Sequence, residues 1–184
     1  MNHWQNVVEM CKQGNRFAQN RLYDNFAKKL YRVALRYVPQ PQEAEEVLMN
    51  GFLKFFKGLD QFEYRDDNSL EVWLKRIVAN EALMLLRKQK SLPFMVDSSE
   101  AEEISSLDAP DAAVSAEAIY AAILELPTGY RTIFNLYAIE GFNHEEIANQ
   151  LNISVGTSKS QLSKARKMLQ EKLKNAGYEQ AGAI

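Results

Sequence analysis

The sequence predicts an all-α protein: two small helical domains, a helical bundle and then a helix-turn-helix domain, joined by an acidic linker. Three observations predict it. Apolar residues recur at intervals of three to five over most of the chain, and no stretch shows the alternation of a half-buried strand. Charge is segregated along the chain. The stretch EEIANQLNISVGTSKSQLSKARKML, residues 145–169, reads as two helices around a tight turn, acidic at its start and basic at its end.

The bulk properties leave room for this. The 184 residues suffice for one domain or two small ones, and 46% hydrophobic with 25% charged residues is an ordinary soluble composition. No run of 18 apolar residues predicts a membrane span. The start, MNHWQNVVEMCKQGNRF, has no basic segment followed by an apolar one, so a cytoplasmic protein without membrane insertion is expected. Cys11 is the only cysteine, which excludes an intrachain disulfide and suggests a small buried hydrophobe. The net charge of -2 conceals an uneven distribution. Residues 1–96 sum to +4, residues 97–125 to -8 with no basic residue, and residues 126–184 to +2. Local fields matter more to a partner than the sum does.

The first domain, residues 1–95, reads as helices. Phe17, Leu22, Phe26, Leu30, Val33 and Ala34 form one stripe, ended by Pro39 and Pro41. A helix from about Glu43 to Leu59 has its stripe at Ala44, Val47, Leu48, Phe52 and Phe55. Asp66-Asp67-Asn68 is a turn. Ser69 suits the cap of the next helix, with Val72 leaving the capping box incomplete. That helix runs to about Gln89, with Trp73, Ile77, Asn80 and Met84 spaced along it.

Residues 96–112, rich in Ser, Glu, Asp and Ala, read as a flexible acidic linker. Roughly 16 such residues stretch to at most about 55 Å. The second domain, residues 113–178, opens with a helix to about Leu126. Pro127 can open the next, from Thr128 to Glu140, and Gly141 stops it.

The quoted stretch follows. Asn143 can cap a helix whose first turn holds Glu145 and Glu146, where amide groups favour anions. Ile147, Ala148 and Leu151 face one way, and Asn152 tolerates the left-handed turn. Ser154 or Thr157 caps the second helix, whose apolar side is Leu162, Ala165 and Leu169. A basic second helix after a short turn describes a helix-turn-helix. Its first residues would reach base edges in a major groove: Thr157, Ser158, Lys159 and Gln161. Lys164, Arg166 and Lys167 would meet phosphates. A solvated basic helix is the plain alternative.

Aromatics and cations also interleave in the first domain. Phe62, Tyr64, Arg87, Lys88 and Lys90 suit an unpaired strand. Phe52, Phe55 and Trp73 also fit a plain core. Glu43, Glu45 and Glu46 read as a helix-dipole effect or as a carboxylate pair. No carboxylate motif or histidine stands opposite them, His3 and His144 lack ligand-spaced partners, and no phosphate-binding loop appears. Neither enzyme activity nor a metal or other cofactor is expected.

FAQNRLYDNFAKKLYRVALRYV, EAEEVLMNGFLKFFKGLDQF and VWLKRIVANEALMLLRKQK resemble region 2 of bacterial sigma-70-type RNA polymerase sigma factors. The segment AILELPTGYRTIFNLYAIEGFNHEEIANQLNISVGTSKSQLSKARKMLQEKL resembles their region 4. Order and spacing are those of the extracytoplasmic-function (ECF) group, over about residues 10–175. The resemblance implies a promoter-specificity subunit of core RNA polymerase, monomeric when free. Its region 2 docks on the clamp helices of β′ through Glu45, Glu46, Asn50 and Lys54, and melts and captures the -10 element with a loop near Phe62 to Asn68 and the helix carrying Lys75, Arg76 and Asn80, whose basic end is Arg87 and Lys88. Its region 4 reads the -35 element and touches the β flap. Promoter DNA and an anti-sigma factor are the other partners implied. A sigma-like helical adaptor without promoter recognition is the alternative. Ser158 stands where the family usually has a packing valine, at a cost of roughly 1–2 kcal/mol if nothing compensates. Gln161 replaces a common arginine, Asn152 a common glycine, and Met49 and Asn50 a frequent glutamine and glutamate.

Overall fold

The computed structural model describes residues 3–89, 92 and 114–178. The chain divides into two compact units, Met1–Gln89 and Lys90–Ile184. The linker expected at 96–112 lies outside the described residues. Among the described residues all regular structure is helical.

The first unit contains α1 (His3–Lys12), α2 (Arg16–Tyr37), α3 (Pro41–Gly58), a single 3-10 turn (Leu59–Gln61) and α4 (Asp67–Lys88). Asn15 starts α2 by accepting a hydrogen bond from the Ala18 N–H at 3.1 Å. Pro41 sits in the first turn of α3, where a missing N–H costs nothing, so this proline opens a helix as well as following one. Asp66, not Ser69, caps α4. Its carboxylate accepts from the Ser69 N–H at 2.6 Å, and the Ser69 hydroxyl accepts from the Asp66 N–H at 3.1 Å. The capping box is therefore complete, with serine in the place usually held by Glu or Gln.

Leu22, Phe26, Leu30 and Val33 of α2 are buried, as are Val47, Phe52 and Phe55 of α3 and Leu70, Leu74 and Val78 of α4. Phe17 is not part of this core. It is 86% exposed, and Ala18 takes the buried position beside it. Cys11 is buried, and burial pushes its thiol up to about 11. Helices α3 and α4 run antiparallel, with Glu43 accepting from Gln89 at one end and Gly58 against the Trp73 ring at the other. They approach most closely at Gly51, where a Cβ would stand 2.8 Å from Val78 Cγ2.

The second unit contains α5 (Ala116–Leu124), α6 (Thr128–Phe134), a π-helical turn (Asn135–Ile139), α7 (His144–Leu151) and α8 (Val155–Asn175). The single helix expected over 128–140 thus widens halfway. The Glu140 N–H reaches back five residues to the Asn135 carbonyl at 2.9 Å. Gly141 then turns left-handed, with φ at 74°, so that the Phe142 N–H closes on the Leu136 carbonyl at 2.9 Å. Ile123, Leu126, Ile133, Leu136, Ile147, Leu151, Leu162, Ala165 and Leu169 are all buried.

Arg131 is also buried, and its Nη1 donates to the carbonyls of Leu124 and Leu126, each at 3.0 Å. Those carbonyls close α5 and the turn into Pro127, so the guanidinium replaces water where none can reach. Burial lowers the guanidinium's pKa. Arg131→Met should leave both carbonyls without this donor and cost about 2 kcal/mol. Chemical denaturation of the full chain measures it, and a parental midpoint would remove Arg131 from the fold's supports.

Candidate nucleic-acid interfaces

Local chemistry sets the helix-turn-helix. The Asn143 side chain accepts from the Glu146 N–H, and the Glu146 carboxylate accepts from the Asn143 N–H, both at 2.8 Å. This reciprocal box starts α7. Asn152 ends it at φ 55°, ψ 50°, the left-handed conformation expected of that residue. Ser154 caps α8 by accepting from the Thr157 N–H at 2.9 Å, so the turn is the three residues 152–154.

The α7–α8 seam carries a polar pair. Ser158 is 0% exposed, and its hydroxyl lies 2.9 Å from Nδ1 of His144. This contact satisfies the hydroxyl that stands in place of an apolar side chain. The His144 ring stacks on Tyr137 at 4.5 Å and 24°, and the Arg166 guanidinium lies 5.7 Å from the Tyr137 ring centre. The π-helical turn brings Tyr137 to this place. Burial, and then the charges of Lys159 and Arg166, hold the His144 pKa below its usual value.

The predicted duplex-reading residues separate into two groups. Lys159 and Lys167 are exposed, and Lys164 and Arg166 are half-buried. Thr157, Ser158 and Gln161 are buried, the last at 2% exposed. Ser158 belongs to the seam, and the Thr157 hydroxyl is 2.9 Å from that of Ser154. Gln161 stands four residues before Ala165, at the edge of the Leu162–Ala165–Leu169 stripe, and the buried Ser160 donates to the Thr157 carbonyl at 3.1 Å. In this conformation the cations Lys159 and Lys167 are the open part of the predicted surface.

In the first unit, residues 62–66 link the 3-10 turn to α4. Phe62 is buried, its ring flat on Trp73 at 4.4 Å and 6°. Trp73 in turn touches Phe55 at 5.0 Å. Phe62 is therefore an anchor for the loop. The half-buried Tyr64 sets its ring edge-on to Phe62, and its hydroxyl bonds the Asp67 carboxylate. On α4, Asn80, Arg87 and Lys88 are exposed and Arg76 is half-buried. By helical periodicity Arg76, Asn80 and Arg87 share a side with Trp73. Lys75 does not join them. It points to the side facing α2, where Glu71 holds it at 2.7 Å and Lys29 at 2.6 Å. Burial works to raise the Glu71 carboxyl, but the two ammonium groups win and hold it below the usual carboxylate range.

A third surface lies along α3. Glu45, Glu46, Asn50 and Lys54 are all exposed. Lys54 pairs with the buried Glu81 at 2.5 Å and donates to Met84 Sδ at 3.3 Å. Glu46, Asn50, Glu81, Met84 and Lys88 line one groove between α3 and α4. Met84 is exposed in it, and Met49 and Leu53 are exposed elsewhere on α3. Sequence reading left Leu53 and Met84 out of any docking surface, although Leu53 falls visibly off the buried stripe of α3. Among the described residues no carboxylate, histidine and cysteine cluster could hold a metal, and no helix is long and apolar enough to cross a membrane.

Residues 22–92 match the family model for sigma-70 region 2, and residues 116–169 that for sigma-70 region 4. The chain is 30% identical over 179 residues to the ECF RNA polymerase sigma-E factor of Escherichia coli, covering 91% of this chain and 92% of that one. It is 28% identical over 181 residues to the RNA polymerase sigma-H factor of Pseudomonas aeruginosa, covering 92% and 93%. A similar solved structure is the sigma factor RpoE of Bartonella quintana in complex with the anti-sigma factor NepR. It has a TM-score of 0.51 at 24% identity, covering 84% of this chain and 96% of that one.

The histidine seam has a pH consequence. His144 is less basic folded than unfolded, so its share of stability is complete above the unfolded value, near ~6.5, and is lost as pH falls through the folded value. The second unit should therefore weaken on acidification, and His144→Gln should flatten that loss between about pH 7 and about pH 5. Denaturant midpoints across that range test it, and parallel curves for the two proteins would refute it.

Proposed function

This chain belongs to the extracytoplasmic-function group of the sigma-70 family, and on that premise we propose which of its surfaces do the work. It is a sigma factor, not an enzyme: region 2 serves the -10 element of a promoter and region 4 the -35 element, and the reaction itself is carried out by core RNA polymerase. Such a factor acts in the cytoplasm, where polymerase and promoter meet. Its second protein partner is an anti-sigma factor, the kind of protein bound to the Bartonella factor.

Strand capture falls to the loop 62–66 and to the α4 side bearing Arg76, Asn80 and Arg87. Trp73 supports this assignment, because it braces Phe62 and shares the α4 side of Asn80. Tyr64 is the ring available to an unpaired base, with Arg87 and Lys88 beside the strand's phosphates. Lys75 is assigned a lesser part, since a phosphate would first have to displace Glu71.

Duplex contact falls to α8. Lys159 and Lys167 meet phosphates, with Lys164 and Arg166 flanking them. Thr157, Ser158 and Gln161 contribute through the shape of the turn and seam unless the helix's surroundings change on binding. Core polymerase docks on the α3 face, and here Met49, Leu53 and Met84 join Glu45, Glu46, Asn50 and Lys54. Exposed apolar side chains ringed by charges are what a specific protein contact uses at its centre.

In vitro transcription with core polymerase over a promoter library tests the division. Lys159→Ala should weaken use of the upstream element and lower the salt dependence of binding by about one phosphate contact. Asn80→Ala should slow opening and leave upstream preference alone. Unchanged initiation in both variants would overturn the assignments. For docking, Met49→Glu with Leu53→Glu should lower core affinity by about tenfold or more, measured by fluorescence anisotropy. Parental affinity would move the docking face elsewhere.

A further inference from the structure

We propose that Lys12, in the last turn of α1, is the positioning residue of the strand-capture loop. This rests on the assignment of residues 62–66 to strand capture and extends it to a helix that carries no assigned role.

The geometry is specific. Lys12 Nζ donates to the Phe62 carbonyl at 3.1 Å, across fifty residues of chain. The loop is also held from α3 and α4 and from within. The Phe62 N–H closes the 3-10 turn on the Leu59 carbonyl at 3.0 Å. Its ring lies on Trp73. At the far end Asp66 and Ser69 cap each other, and the Tyr64 hydroxyl bonds Asp67. The Phe62 carbonyl is the group that fixes the plane of the following peptide, and hence the direction in which Glu63 and Tyr64 leave. Lys12 is its donor.

Lysine suits this place. The ammonium has three donors on a flexible stem, and a charged donor makes a stronger hydrogen bond than a neutral one. Lys12 is half-buried, which limits competition from water. Its helix does not depend on it. Val7, Val8 and Cys11 are buried and seat α1, which also packs on the 3-10 turn. Removing the ammonium should therefore release the loop and leave α1 in place.

The test uses holoenzyme assembled from the full chain and core polymerase, with 2-aminopurine in the -10 element reporting opening. Lys12→Met should slow opening about tenfold, with thermal midpoint and core affinity unchanged. Lys12→Arg, which keeps a charged donor, should restore most of the rate, and Tyr64→Ala should be slow. If Lys12→Met opens at the parental rate while Tyr64→Ala is slow, the role of Lys12 is refuted and the loop assignment stands. If both open at the parental rate, the loop assignment falls and the role of Lys12 with it. A loss of opening matched by loss of stability or core affinity, or not restored by arginine, makes Lys12 a structural residue and overturns the proposal.

Discussion

The close approach of α3 and α4 at Gly51 is the constraint on which the first unit depends. A side chain there would press on Val78 Cγ2 at 2.8 Å, so the pairing requires a residue without Cβ. The helices it brings together carry the two proposed surfaces of this unit. Helix α3 presents Glu46, Met49, Asn50 and Leu53, and α4 presents Arg76, Asn80 and Arg87. Because the two are packed as one layer, the proposed docking face and the proposed strand face keep a fixed relation. Trp73 extends that rigidity to the loop, lying between Phe55 of α3 and Phe62. A strand-capturing loop benefits from such bracing, since whatever is ordered beforehand need not be ordered on binding.

The second unit solves a different problem, which is how to close the short helices α5 to α7 and the turns between them. Arg131 closes one turn from inside, and reciprocal caps start α7. The α7–α8 seam buries a serine where the resemblance leads one to expect a packing valine, and pairs it with a histidine. A polar pair gains little net stability over a packed valine, but an unpaired hydroxyl there would cost more than either. Ser158 and His144 are thus a matched set, and each makes sense of the other. Tyr137 and Arg166 complete the set from the π-helical turn and from α8.

Charge is spent inside the molecule as well as offered to partners. Glu71 engages both Lys29 and Lys75, Glu81 engages Lys54, and Glu125 engages Lys172. The partly exposed pairs contribute little to stability, while the buried Glu81 needs Lys54 to offset its desolvation. Their effect is to lower the number of cations ready for phosphate, and the net charge of -2 acts in the same direction. The nucleic-acid affinity expected of the chain alone is therefore modest, which suits a subunit whose grip is completed by the polymerase.

The sequence by itself determined the helical class, the helix-turn-helix and most of its punctuation. Asn143, Asn152, Ser154 and Gly141 act on backbone groups within a few residues, and such rules can be read from neighbours alone. The Asp66–Ser69 box is an exception: the sequence suggests Ser69 as the cap and an incomplete box, because serine is not the usual partner at N3. The tertiary structure decided which side chains remain available. Phe62 is consumed by Trp73, Glu71 by Lys75 and by Lys29 of α2, and Ser158 by His144, while Phe17 is left outside the core its spacing suggested. The physical reason is range. Helix propensity and capping are short along the chain, whereas burial and pairing depend on residues that folding brings close from 11, 14 or 42 positions away.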